Sequence, residues 1–282
     1  MPVRWWQSLR AQLEPPPIAD PLWRRALTGC ALVRNLDDDR QQPLRRLAAT
    51  FLSRKRFHPL AGVALDDYWR LLIAMQACLP ALQQGSGYLR GWRDVLIYPG
   101  EFTVRGNQHD CHNSLIHSSG EHASNDAREH NSLVLSLSDV QLDLEQPWDG
   151  YNVVLHEMAH KLDMLDGPAD GVPPLTDISR PRWIEQFRLA QQRLANLPES
   201  ERAYPQARSA NENAAEYFSV ATELHYSQPG VLRETEPAIA YLLQAFYGAS
   251  PADANDRNTP ASVSDISGVL HRHAETSTTE FG

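Results

Sequence analysis

Residues 151–163 run Tyr151-Asn152-Val153-Val154-Leu155-His156-Glu157-Met158-Ala159-His160-Lys161-Leu162-Asp163. The stretch contains the pattern His-Glu-x-x-His. On a helix, side chains four residues apart share a face, so the imidazoles of His156 and His160 can reach one ion. Neutral imidazole nitrogen suits zinc at about 2.0–2.1 Å. Glu157 lies about 100° further around the helix axis, within reach of a water on such an ion but not of the ion itself. A carboxylate there can take the proton of a water that attacks a carbonyl. Val153, Val154, Leu155, Met158, Ala159 and Leu162 make the helix apolar nearly all round, which predicts burial. Buried imidazoles and a carboxylate are costly without partners. The competing reading is a pair of hydrogen-bonded core histidines.

An open zinc site needs a third protein ligand and leaves the fourth position to water, whereas a structural site has four protein ligands. One candidate is Asp166, at the last position of a longer His-Glu-x-x-His-x-x-Gly-x-x-His pattern, but Asp163 stands where that pattern needs glycine. Asp163 is then a candidate for accepting a hydrogen bond from a ligand imidazole. The other candidates lie in Asn211-Glu212-Asn213-Ala214-Ala215-Glu216-Tyr217-Phe218, continuing to Glu223. Glu212 and Glu216 are four apart. Ala214, Ala215, Phe218 and Val220 predict apolar packing around Glu216, where a metal explains a carboxylate better than solvent does. Glu212 can instead favour the positive end of a helix. His225 as a fourth ligand would sit about 180° from Glu216 on the same helix.

Outward from this motif, the pattern predicts helices over 150–165, 181–196, 211–226 and 236–247. Upstream, Val95-Leu96-Ile97-Tyr98 before Pro99-Gly100 and Ser132 to Ser138 read as strands. The second is a candidate edge for an extended peptide. Helices are expected from Pro43 through Leu52 and over 66–79. Residues 1–42, broken by Pro15, Pro16 and Pro17, read as loosely organised. Residues 106–131 are polar and hold His109, His112, His117, His122 and His130, read as solvated loop histidines. The expected class is α+β, mostly helical with a small sheet. The expected division is an N-terminal helical region over 1–92, a catalytic domain over 93–250 and a flexible tail over 251–282.

The chain has 282 residues, 42% of them apolar, enough for a sizeable core. Its formal net charge is −9. Such an acidic balance argues against nucleic acid as the main partner. Cys30, Cys78 and Cys111 are scattered and odd in number, which excludes a disulfide framework and a cysteine zinc site. No run of 18 apolar residues and no leader-like start is present, so the expected compartment is the cytoplasm.

Several segments together resemble the Mlc titration factor A family, bacterial zinc peptidases related to the catalytic domain of anthrax lethal factor. They are residues 51–62 (FLSRKRFHPLAG), 76–82 (QACLPAL), 94–99 (DVLIYP), Gly120-Glu121, 133–140 (LVLSLSDV), the motif at 152–163 with the DGPADGVP that follows it, and 215–223 (AEYFSVATE). The resemblance spans roughly residues 44–248. It implies a zincin-like fold with aminopeptidase-like activity on small peptide substrates. It carries one zinc to His156, His160 and Glu216, and the catalytic base to Glu157. It also implies binding of a transcriptional repressor of the Mlc type. Two positions depart from the family. Ser209 stands where the family has a tyrosine seven residues before its third ligand, with Tyr204 nearby as a substitute. After Gly120-Glu121, His122-Ala123-Ser124 replaces a stretch that usually carries tryptophan.

Overall fold

In the computed structural model, which describes residues 15–100, 132–202, 204 and 210–253, a small sheet packs against a larger set of helices. Among the described residues the sheet has three strands, β1 (Arg56–Pro59), β2 (Asp94–Tyr98) and β3 (Ser132–Ser136), in that spatial order and all parallel. The register pairs Phe57 with Val95 and Val95 with Leu133 in one row across the sheet, and Pro59 with Ile97 and Ile97 with Leu135 in another. Side chains alternate between faces of a strand. Val95, Ile97, Leu133 and Leu135 therefore share one face, and all four are fully buried. The other face carries Arg56, His58 and Asp94, with His58 Nε2 2.7 Å from Asp94 Oδ1.

The helices are α1 (Asp20–Gly29), α2 (Ala31–Arg34), α3 (Asp38–Arg54), α4 (Asp67–Cys78), α5 (Leu137–Glu145), α6 (Val153–Asp163), α7 (Arg180–Asn196), α8 (Ala214–Ser227), α9 (Pro229–Thr235) and α10 (Pro237–Tyr247). A single apolar cluster runs through them, from Trp23 on α1 through Phe51 and Met75 to Trp183, Phe218 and Phe246. Helix α6 packs against α8 on one side and against β3 and α4 on others. Val154, Leu155, Met158, Ala159 and Leu162 on α6 are all fully buried, as their all-round apolar pattern predicts. At about 1.5–3 kcal/mol for each large aliphatic side chain, this burial fixes the helix through its packing.

The sequence reading and the structure differ in five places. Residues 20–34, expected to be loosely organised, form α1 and α2. Pro21 sits in the first turn of α1, where its missing N–H costs nothing, and Trp23 and Ala26 bury one face. Helix α3 starts at Asp38 rather than at Pro43. Its acidic first turn, Asp38 and Asp39, suits the positive helix end, and Pro43 forfeits one bond near that end. Strand β1 went unread because Arg-Phe-His-Pro has no apolar alternation. Strand β3 ends at Ser136 rather than Ser138: the Ser136 hydroxyl accepts from the Asp139 amide and caps α5, which the sequence reading missed. Helix α8 begins at Ala214 rather than 211, capped by Asn213, and the short α9 after it was not foreseen.

One buried cation holds the start of β2 in place. The Lys55 ammonium donates to the Leu89 and Trp92 carbonyls at 2.6 and 2.7 Å and lies 3.2 Å over the Trp92 ring. Burial pulls its pKa down to about 7. Cys30 and Cys78 are buried free thiols, and Cys111 lies outside the described residues. No helix among the described residues is long and apolar enough to cross a membrane.

Candidate metal centre

Where α6 packs on α8, three side chains converge. His156 Nε2 is 3.2 Å from His160 Nε2, His160 Nε2 is 3.2 Å from Glu216 Oε1, and His156 Nε2 is 3.4 Å from Glu216 Oε2. The histidines are one helical turn apart on α6. Glu216 is the third residue of α8, where the Asn213 side chain accepts from its amide and fixes the helix start.

These distances suit a cation. Ligands about 2.0–2.1 Å from a tetrahedral zinc stand about 3.3–3.4 Å from one another, the edge length of this triangle. Glu216 Oε2 is buried and has no hydrogen-bond partner. It lies near His156 Nε2 without hydrogen-bond geometry, so a buried acceptor is left unsatisfied unless an ion meets it. Among the described residues, His156, His160 and Glu216 are the group whose ligating atoms could hold a metal ion. Burial alone would raise the Glu216 carboxyl, but attraction to His156 and His160 overrides it and holds the group far below the usual carboxylate range. Burial likewise opposes charge on His156, yet Glu223 and Glu216 outweigh it and keep the imidazole well above its ordinary pKa.

Behind the triangle lies a set of contacts that the sequence reading did not find. Glu223 Oε2 is 3.2 Å from His156 Nδ1, and Glu223 Oε1 accepts from the Asn152 amide at 2.9 Å. The Asn152 side chain accepts from the Leu155 amide and donates to Gln76 Oε1 on α4. Asp143 on α5 accepts from the Val153 amide at 2.7 Å. The first amides of α6, which no helical carbonyl can satisfy, are thus met by three side chains. Glu223 stands seven residues after Glu216, two helical turns, so both face α6. That spacing was the available signal.

The other candidates lie elsewhere. Asp163 accepts from the Gly171 and Val172 amides and not from a ligand imidazole, so Glu223 occupies the role expected of it. Asp166 is half-exposed and pairs with Arg180 at 3.7 Å. Glu212 is exposed in the turn before α8 and so does not share a helix face with Glu216. His225 is buried against the rings of Tyr226 and Tyr247, away from the triangle. Tyr204 is buried and bonded to Tyr217. Glu157 is half-buried on α6 beside His156. Ser209 and the histidines between 109 and 130 lie outside the described residues.

A mostly helical protein with a small parallel sheet and two histidines and a glutamate placed to hold a metal ion is consistent with a metallopeptidase. Residues 3–248 match the model of the family described as glucose-regulated metallo-peptidase M90, and the chain belongs to that family. It is also similar to proteins named Mlc titration factor A. It is 32% identical over 265 residues to the one from Cronobacter sakazakii, covering 91% of this chain and 95% of that protein. It is 32% identical over 254 residues to the ones from Yersinia pestis and Yersinia pseudotuberculosis, covering 88% of this chain and 91% of theirs.

Proposed function

We propose that this chain is a zinc-dependent peptidase of aminopeptidase type, with a zincin arrangement of its site. His156, His160 and Glu216 hold one zinc ion, and Glu157 is the general base. The triangle of two imidazole nitrogens and a carboxylate, closed at 3.2–3.4 Å with one buried carboxylate oxygen accepting no hydrogen bond, carries this reading. When bound, zinc supplies Lewis acidity to a water and to the scissile carbonyl. Glu157 takes one proton from the attacking water as its oxygen bonds the carbonyl carbon. It then delivers that proton to the amine nitrogen as the carbon–nitrogen bond breaks. On this reading β3 (Ser132–Ser136) offers an edge to which an extended peptide substrate adds. The division into an N-terminal helical region (1–92), a catalytic domain (93–250) and a tail (251–282) belongs to the same proposal. So does a cytoplasmic location, supported by the free thiols of Cys30 and Cys78.

The test pairs zinc stoichiometry with hydrolysis of a panel of chromogenic aminoacyl and short-peptide substrates, comparing wild type with Glu216→Ala. One zinc and chelator-sensitive turnover, both lost in the variant, is the expected result. Zinc without turnover on any substrate would overturn the peptidase reading.

A second reading has one observation in its favour, the name Mlc titration factor A borne by the relatives. On it, the chain sequesters a transcription regulator of the Mlc type, and the zinc site has little or no catalytic activity. Stoichiometric binding of such a regulator by a Glu157→Gln variant separates the two roles.

A further inference from the structure

An imidazole has two nitrogens, and a metal can use only one that carries no proton. His156 Nε2 faces His160 and Glu216, while its Nδ1 faces Glu223 Oε2 at 3.2 Å. A carboxylate only accepts, so the shared proton belongs on Nδ1. In the neutral ring that leaves the Nε2 lone pair directed into the triangle. Glu223 is 4% exposed, and its other oxygen is held by the Asn152 amide at the start of α6. The carboxylate is therefore anchored to the backbone of the same helix that carries the histidine. It can neither rotate away nor reach solvent without breaking a buried bond.

We propose that Glu223 is the positioning residue of this centre: it fixes the tautomer and ring orientation of His156 so that Nε2 is ready for the metal. The inference rests on the zinc reading above for its consequence, but not for its geometry. Carboxylates in this position raise the basicity of a ligand imidazole, and losing one costs about 10–100-fold in metal affinity. Leucine at 223 keeps the size and carries no acceptor, so the bonds to His156 Nδ1 and to the Asn152 amide are both removed.

The experiment measures zinc affinity by competition with a chromophoric chelator on the full chain, for wild type, Glu223→Leu and Asn152→Ala. The same proteins, stripped of metal, labelled with 15N on histidine and held at a pH above the His156 titration, report the tautomer of the neutral ring by NMR. Asn152→Ala removes the helix cap without touching the imidazole, and so isolates loss of helix stability from loss of ligand positioning. Expected are roughly 10–100-fold weaker zinc binding and loss of the single Nδ1–H tautomer in Glu223→Leu, with Asn152→Ala within about threefold of wild type and its tautomer intact. Equal weakening in both variants, or unchanged affinity and tautomer in Glu223→Leu, would overturn the positioning role. Failure of wild type to bind zinc would sink the peptidase reading instead. The tautomer would then decide the role of Glu223 alone, and an unchanged Nδ1–H signal in Glu223→Leu would refute it.

Discussion

Asp163, the last residue of α6, accepts the Gly171 amide at 2.7 Å and the Val172 amide at 2.9 Å. Trp183 Nε1 donates to the Gly171 carbonyl. The loop after the histidine helix is thereby pinned back onto it, and Gly171 is pressed against the carbonyl of Ala214, the first residue of the Glu216 helix. Replacing Asp163 by alanine leaves the buried Gly171 amide without an acceptor and the Val172 amide with only Asp170 Oδ1, at 3.1 Å. We expect a loss of about 2–4 kcal/mol in urea-unfolding stability, together with weaker zinc binding. An alanine variant as stable as wild type would show that this pin does not hold the loop.

Gly171 has φ +79°, and a Cβ there would stand 2.6 Å from the Ala214 carbonyl oxygen. Both the left-handed backbone and the close approach exclude a side chain. Gly171→Ala should therefore lower the unfolding free energy by about 1–3 kcal/mol, more than Gly230→Ala, where a Cβ meets nothing.

Glu157→Gln should retain one zinc per chain and lose about 10²–10⁴-fold in turnover, measured by metal analysis and initial rates on the same preparation. His160→Ala should lose metal and turnover together. Normal turnover in the first variant would remove Glu157 from the mechanism. Full zinc in the second would mean that the ligand set is wrong.

His225 gives the stability curve a predictable sign. Burial pushes its pKa down to about 4. Its Nε2 has no hydrogen-bond partner. The unfolded chain, with an ordinary histidine near 6.5, then binds more protons than the folded one between these values. The contribution of His225 is complete above pH 6.5 and is lost as pH falls from there toward 4. Urea titrations at pH 7, 6 and 5 should show a steeper loss in wild type than in His225→Phe. Parallel curves would rule out this source of acid sensitivity.

Lys55→Met should destabilise the protein by about 2–4 kcal/mol, because the Leu89 and Trp92 carbonyls lose their shared donor inside the core. Hydrogen exchange should report the loss at 89–94 before it reaches α6.

The histidine helix, its burial and the three convergent residues could be read from residue types and spacing, because a 3.6-residue period with metal-binding side chains one turn apart is a local signal. The Glu216 helix was legible for the same reason. The backing contacts were not. Glu223 meets Asn152 across 71 positions and Asn152 meets Gln76 across 76, and such pairings are set by packing that no local pattern encodes. Asp163 misled for the same reason: its position beside the ligands suggested a bond to imidazole, while the chain folded back and presented two amides. Strand β1 failed for want of pattern, since its pairing with β2 follows from where Lys55 anchors the neighbouring turn.

The histidines ride on a helix whose apolar side chains, Val153 apart, are fully buried and whose first amides are met by Asp143, Glu223 and the Asn152 side chain. Such walls stand by their own packing, in contrast to small domains that collapse only around their ion. On the zinc reading proposed above, metal exchange becomes a matter of supply: occupancy follows the free ion concentration, and above the dissociation constant the stabilising free energy grows with the logarithm of that concentration. A chelator should withdraw the ion and leave a folded protein ready to be recharged.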